Sequence, residues 1–267
     1  MGKGAPRGTD TAGMTLIELL MALSLMAILA ITAITTITDT DADARHRTTV
    51  DSMNQIKMAL IGDPNATENG VRSNFGYVGD VGAMPADADG LAALITRPAT
   101  VLPFGPDTAT RLGAGWKGPY LRSQGLNAAG TKDGWFNALA YTSVSPASIT
   151  SYGADGAAGG TGWSADIDMD IPDTDWKGTV FGFVSDTGGP YTSPLSVVIN
   201  YPDGTGVITN TTYSVSDGSG YFTFSDIPFG RRSLSLVLAS KTIGPILITV
   251  DSPQYEVNTS LIDVSRY

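Results

Sequence analysis

The side chains of this chain with chemistry to offer are mostly carboxylates. Asp and Glu number 26 against 16 Lys and Arg, with one His and no Cys among 267 residues, and the formal net charge is -10. A single histidine, His46, excludes most zinc sites and most Ser-His-Asp triads. The lack of cysteine excludes thiol chemistry and disulfides. The acidic balance argues against nucleic acid as a partner, because that needs a basic face. It suits an extracytoplasmic protein or one that binds divalent cations. Two placements stand out. Glu18 interrupts the apolar run from Met14 to Ile37, and Asp155 and Asp166 bracket a glycine-rich stretch at 149–167. That stretch reads either as an oxygen-donor loop for a hard cation or as a turn with incidental aspartates. No apolar stretch adjoins Asp155 and Asp166 to split them into an acid and a base, so no catalytic residue is assigned.

The element that positions Glu18 must be a helix. A bilayer core needs about 20 apolar residues, and Met14 to Ile37 is long enough to span it. An unpaired carboxylate in that setting costs roughly 2.5 kcal/mol or more, so a partner is expected. The polar leader with Lys3 and Arg7, then Gly13, Met14 and a Glu five places into the helix, resembles the type III signal of type IV pilins and pseudopilins. The resemblance implies that a prepilin peptidase cuts after Gly13 and methylates the new amine at Met14, where Met replaces the commoner Phe. It also implies that Glu18 pairs with the N-terminal amine of a neighbouring subunit during assembly. The basic leader and Asp39, Asp41 and Asp43 after the run predict a cytoplasmic N-terminus and a translocated remainder. An ordinary secretory signal peptide is the competing reading, but its apolar core is typically about 7–15 residues.

The helix should continue past Ile37. Neither Pro nor Gly occurs between Met14 and Ile61, and Val50, Met53, Ile56 and Leu60 recur on one face until Gly62-Asp-Pro64 stops the run. Residues 63–110 are loop-rich, with a brief helix over 90–95. Trp116-Lys-Gly-Pro-Tyr-Leu121 and Lys132-Asp-Gly-Trp-Phe-Asn-Ala-Leu-Ala-Tyr141 resemble segments of the major pseudopilin of type II secretion, although Phe136 stands where that family usually has Gly. Trp116, Tyr120 and Trp135 read as core aromatics. The stretch at 149–167 resembles the calcium loop of the same family. By that resemblance Asp155 and Asp166 are side-chain ligands and Tyr152 and Ala157 offer carbonyls. Ser164 occupies a position often held by Asp or Asn, and Asp168 is a substitute.

The acidic strip 168–175 reads as a linker. After it, runs of β formers at 179–184, 195–201, 211–215, 220–224, 233–238 and 246–250 alternate with turn signals, the pattern of a β-sandwich. Asp217 to Gly230 resembles a motif of transthyretin-like (carboxypeptidase regulatory-like) sandwiches. The expected class is α+β: a long N-terminal helix packed on a small antiparallel sheet, the pilin fold, followed by an all-β sandwich. The expected divisions are a leader at 1–13, a pilin helix at 14–61 with 14–37 as transmembrane or filament core, a calcium-bearing globular domain at 62–175, and a sandwich at 176–267. The resemblance implies a non-enzymatic pilin or pseudopilin that forms a homo-oligomeric helical filament. It resides in the inner membrane before assembly, and in a periplasmic or extracellular filament afterwards. Its partners are the prepilin peptidase and the inner-membrane assembly machinery, its cofactor is calcium, and its sandwich is displayed on the filament surface. A minor tip pilin or adhesin is the alternative, and a secreted calcium-binding module a more distant one.

Overall fold

The computed structural model describes residues 15–121, 131–187 and 189–267, with only the backbone described at 31–38. Helix α1 is Leu16–Ile61. Thr15 stands before its first turn, and the Glu18 carboxylate accepts hydrogen bonds from the Thr15 amide and hydroxyl, each at 2.9 Å. The Thr15 hydroxyl in turn accepts from the Glu18 amide at 3.3 Å. This reciprocal capping box satisfies helix-end donors that would otherwise lack partners. The opposite end stops at Gly62, whose φ of +82° is left-handed. Its amide reaches back to the Met58 carbonyl at 2.8 Å. A Cβ there would lie 2.3 Å from the Asn74 carbonyl oxygen, so only glycine fits this stop.

The chain divides into two compact units, Met1–Arg45 and His46–Tyr267. In the first, the large apolar side chains from Leu16 to Leu29 are 50–79% exposed. Among the described residues no helix is long and apolar enough to cross a membrane. The expected span of 14–37 lies partly outside those residues. Met14 and the side chains of 31–38 lie outside the described residues, and what remains is shorter than the about 20 apolar residues a bilayer requires.

In the second unit the end of α1 turns one face inward. Met53, Ile56 and Leu60 are fully buried and Val50 is half-buried, as their spacing predicts. Their cluster includes residues of α2 (Gly76–Val81) and of a 3₁₀ turn at Gly90–Leu94, where a brief helix is expected. Short strands surround it: β1 (Thr67–Glu68), β2 (Val71–Arg72), β3 (Gly105–Asp107) and β4 (Leu112–Ala114), paired as two small hairpins. Then β5 (Ala140–Thr142), β6 (Ala147–Ser151) and β7 (Ile167–Ile171) form a three-stranded antiparallel sheet. We call residues 46–175 the head.

The remaining strands are β8 (Lys177–Phe183), β9 (Ser185–Asp186), β10 (Gly189–Pro190), β11 (Leu195–Pro202), β12 (Ile208–Val215), β13 (Tyr221–Pro228), β14 (Gly230–Val237), β15 (Thr242–Val250) and β16 (Gln254–Glu256). They build a four-stranded sheet in the order β12-β11-β14-β15 and a three-stranded sheet in the order β13-β8-β16, with β9 and β10 as a minor pair. Alternate residues point inward, as Leu195, Val197 and Ile199 do on β11. Both sheets contribute to one cluster that holds Val180, Phe222, Phe224, Leu234, Leu236 and Ile248. The class is thus α+β, with most of the chain in sheets.

A boundary is expected at 175/176, yet the head and the two-sheet region fall in the same compact unit. Specific bonds cross that position. Phe75 of the head packs against the two-sheet core, Lys57 pairs with Asp175 at 2.7 Å, and the Gly204 amide donates to the Val81 carbonyl at 2.8 Å. Arg232, only 1% exposed, donates to the carbonyls of Pro228, Phe229 and Arg231 and also to Gly79 of α2. Burial pulls the pKa of its guanidinium down to about 9, against the charge of Asp80. A buried cation that donates only to carbonyls is tolerable because every bond is charge-assisted.

Candidate functional site

Two places carry the residues singled out by the sequence. At the first, the described residues show Glu18 tied to Thr15 at the start of α1, with Gly13 and Met14 outside them. Around it the helix is apolar on all sides: Leu16, Ile17, Leu19, Leu20, Met21 and Leu23 are all exposed. A helix that is hydrophobic all round belongs inside something larger. Glu18 is the single ionisable side chain from Thr15 to Ala30.

The second place is the glycine-rich loop between β6 and β7. A chain of bonds fixes its start. Asp133, fully buried, accepts the amides of Trp135 and Asn137 at 2.9 and 2.8 Å and the Ser151 hydroxyl at 2.7 Å. Asn137 donates its side-chain amide to the Gly153 carbonyl at 2.8 Å. The neighbouring Gly134 amide donates to the buried Thr49 hydroxyl of α1 at 2.9 Å. Helix, Asp133 turn and loop are therefore one network. In the sequence Asp133 is part of a family-like segment and has no role assigned to it. Of the three aromatics expected in the core, Trp116 and Tyr120 are partly buried against it with polar tips, Trp116 donating to Ala93 at 2.7 Å and Tyr120 to Asp80 at 3.1 Å, whereas Trp135 is half-buried and joins neither core cluster. Burial raises the Tyr120 hydroxyl pKa, and the Asp80 carboxylate pushes it the same way.

Within the loop the expected calcium residues are spread out. The Asp166 carboxylate accepts the Gly159 amide with both oxygens, at 3.1 and 3.0 Å, and Asp155 accepts the Ala157 amide at 3.1 Å. Asp168 lies on β7 opposite Thr150, whose hydroxyl donates to it at 2.6 Å, so it serves the sheet and not the loop. Ser164 ends a 3₁₀ turn at Gly162–Ser164. Tyr152 is half-buried and Ala157 exposed. Among the described residues no three His, Cys, Asp or Glu side chains gather as a metal cluster. The donors are nonetheless of one kind. Two exposed or half-exposed carboxylates face a loop with five left-handed glycines, Gly153, Gly156, Gly159, Gly160 and Gly162. All-oxygen donors fit a hard cation, which would draw most of its ligands from backbone carbonyls. Trp163 stands at the loop's edge, 6.0 Å from the His46 ring in an edge-to-face contact.

Residues 75–170 match the family of the type II secretion system (T2SS) protein G. This family consists of pseudopilins, structural components of secretion machinery and not catalysts. The match takes in α2, the Asp133 network and the glycine-rich loop. It covers well under half of the chain, and both the apolar start of α1 and the two-sheet region lie beyond it. No curated protein matches the chain.

Proposed function

We propose that the chain is a pilin-like or pseudopilin subunit that polymerises through the first part of α1 into an extracytoplasmic filament. On this reading the two-sheet region is a transthyretin-like sandwich displayed on the filament surface. One observation carries it: an apolar helix segment, its large side chains all at least half exposed, that contains a single carboxylate, on a chain whose head matches a secretion pseudopilin family. In the filament that segment is buried among its copies, and before assembly it rests in the inner membrane. A prepilin peptidase cuts after Gly13, and the new amine of Met14, methylated, meets Glu18 of a neighbour. The capping box holds the carboxylate near the helix start until the amine arrives.

Glu18→Gln separates these roles. Glutamine keeps the capping box but removes the charge. The variant should be processed and helical yet fail to build filaments, as should Glu18→Val. Normal filaments from both variants, counted by electron microscopy, refute charge pairing. Mass spectrometry of the mature protein should give methylated Met14 as the first residue. A start beyond Ala30 refutes the processing step.

Calcium belongs to the same proposal. Asp155 and Asp166 would hold it, with carbonyls that include those of Tyr152 and Ala157, and it would supply positive charge to an entropy-rich loop. Linkage gives about 2.7 kcal/mol of stabilisation at a hundredfold excess over Kd. Melts of the full chain in mild detergent should shift upward with calcium relative to chelator, and Asp155→Ala should abolish the shift. Identical melts would leave the loop a turn.

A further inference from the structure

Between the head and the two-sheet region lies a cleft of about 870 Å³, away from the glycine-rich loop and from the start of α1. Its charge is opposite to that of the protein. Arg72, Arg111, Lys117 and Arg231 line it, four of the chain's 16 basic residues, against Glu68 and Asp80. Arg111, Lys117 and Arg231 are exposed, and among the described residues none of the three forms an ion pair. Arg72 is 9% exposed and its guanidinium bonds only to the carbonyls of Ile61 and Asn74. Arg232 sits behind the same wall with carbonyl partners alone. In a chain of net charge -10, three cations without an ion pair around one concavity, with the Arg72 guanidinium in its wall and that of Arg232 buried behind it, make a local positive field.

The cleft also holds an aromatic platform. Phe104 is 40% exposed, and its ring tip lies over Gly113, where a Cβ would come within 2.3 Å of it. The Lys117 ammonium stands 5.2 Å from the ring centroid. Gly113 leaves room for the ring tip, and Lys117 sets a cation beside the ring. Asn69, Asn74 and Thr249 add amide and hydroxyl groups along the walls. Ligand clefts typically run about 300–1,000 Å³ and combine apolar surface with a few convergent polar groups.

We propose that this cleft binds a short acidic saccharide, a chain of sugar rings that bear carboxylates. Guanidinium forks of Arg111 and Arg231 take the carboxylates, because their planar donors match that geometry. The Phe104 ring takes the CH face of a sugar. The amides and hydroxyls on the walls meet sugar hydroxyls. An acidic peptide offers the charge but not the flat CH face, and a neutral sugar offers the face but not the charge. The site is independent of whether the chain polymerises.

The test is titration calorimetry on the full chain in mild non-ionic detergent, with three probes: a hexuronic acid tetramer, the corresponding neutral hexose tetramer and tetraglutamate. The uronate should bind at least about tenfold tighter than either control, with affinity that falls as salt rises. Arg231→Ala and Arg111→Gly should each weaken it about tenfold, with melting temperatures unchanged or raised. The Arg111 change is well suited to this, since Arg111 has a left-handed φ of +58° that glycine adopts freely. Phe104→Leu should weaken the uronate and leave tetraglutamate unchanged. Tetraglutamate binding as tight as the uronate overturns the saccharide in favour of a peptide. Equal binding of the neutral tetramer, no uronate binding, or uronate binding indifferent to both arginine variants overturns the site itself.

Discussion

The two ends of α1 share a secondary structure and little else. From Leu16 to Leu29 every large apolar side chain is at least half exposed, whereas from Met53 to Ile61 the inward positions are buried against α2 and the 3₁₀ turn. The local rules of helix formation are satisfied at both ends, by a capping box at one and a glycine stop at the other. What differs is the pattern around the helix. The late turns are apolar on one face and polar on the other, so one core suffices. The early turns are apolar all round and meet no core among the described residues. A helix is thus specified by its own residues, but its environment is specified by the distribution of its apolar ones.

The sharpest way to break this contrast is truncation of single side chains at each end. Leu60→Ala or Met53→Ala should cost about 2–5 kcal/mol in chemical unfolding of the full chain, because each leaves a cavity in a closed core. Leu19→Ala or Leu25→Ala should change the same measurement by less than about 0.5 kcal/mol. Equal costs at both ends would show that the early turns already have a partner within one chain.

A smaller effect tests the polar side of the buried end. The Thr49 hydroxyl accepts the Gly134 amide. Thr49→Val keeps the shape and removes that bond, which should cost about 1–3 kcal/mol. A cost near zero would mean that helix and Asp133 turn dock by apolar contact alone.

The smallest expected effect carries the opposite sign. Phe136 has a φ of +70° and is 51% exposed, so it pays for a left-handed backbone with little burial in return. Phe136→Gly should stabilise the head by up to about 1 kcal/mol, the left-handed strain of roughly 1–2 kcal/mol less the entropy glycine gains when unfolded. Destabilisation in thermal melts would show that the ring contributes contacts worth more than the strain.

These positions also show what the sequence made legible. The three-and-four spacing of Val50, Met53, Ile56 and Leu60 was enough to find the buried face, and Gly62 was enough to end the helix. Phe136 was visible as a departure from a glycine position, but its cost became plain only with its backbone angle. The capping box is legible as Thr15-Leu-Ile-Glu18, but the apolar surroundings make the charge of Glu18 the stronger signal. Arg232 left a fainter trace. It shares the inward parity of Leu234 and Leu236 on β14, and nothing local foretells that its donors meet the Gly79 carbonyl. Asp133 was silent for a similar reason, since its role depends on a turn that closes only when Ser151 arrives from elsewhere in the chain. For the calcium residues, spacing supplied the candidates but not their distances, and Asp168 went to a cross-strand bond with Thr150.

The Arg232 bonds have a mechanical consequence. A module joined by a loose tether reorients before it transmits any pull. Here the guanidinium donates to the β13–β14 corner and to α2 at once, while Lys57 grips Asp175 close to the crossing point. A load applied to the far edge of the two-sheet region would reach the head as torque, with no slack to take up first. Whatever that region touches, it presents at a fixed angle.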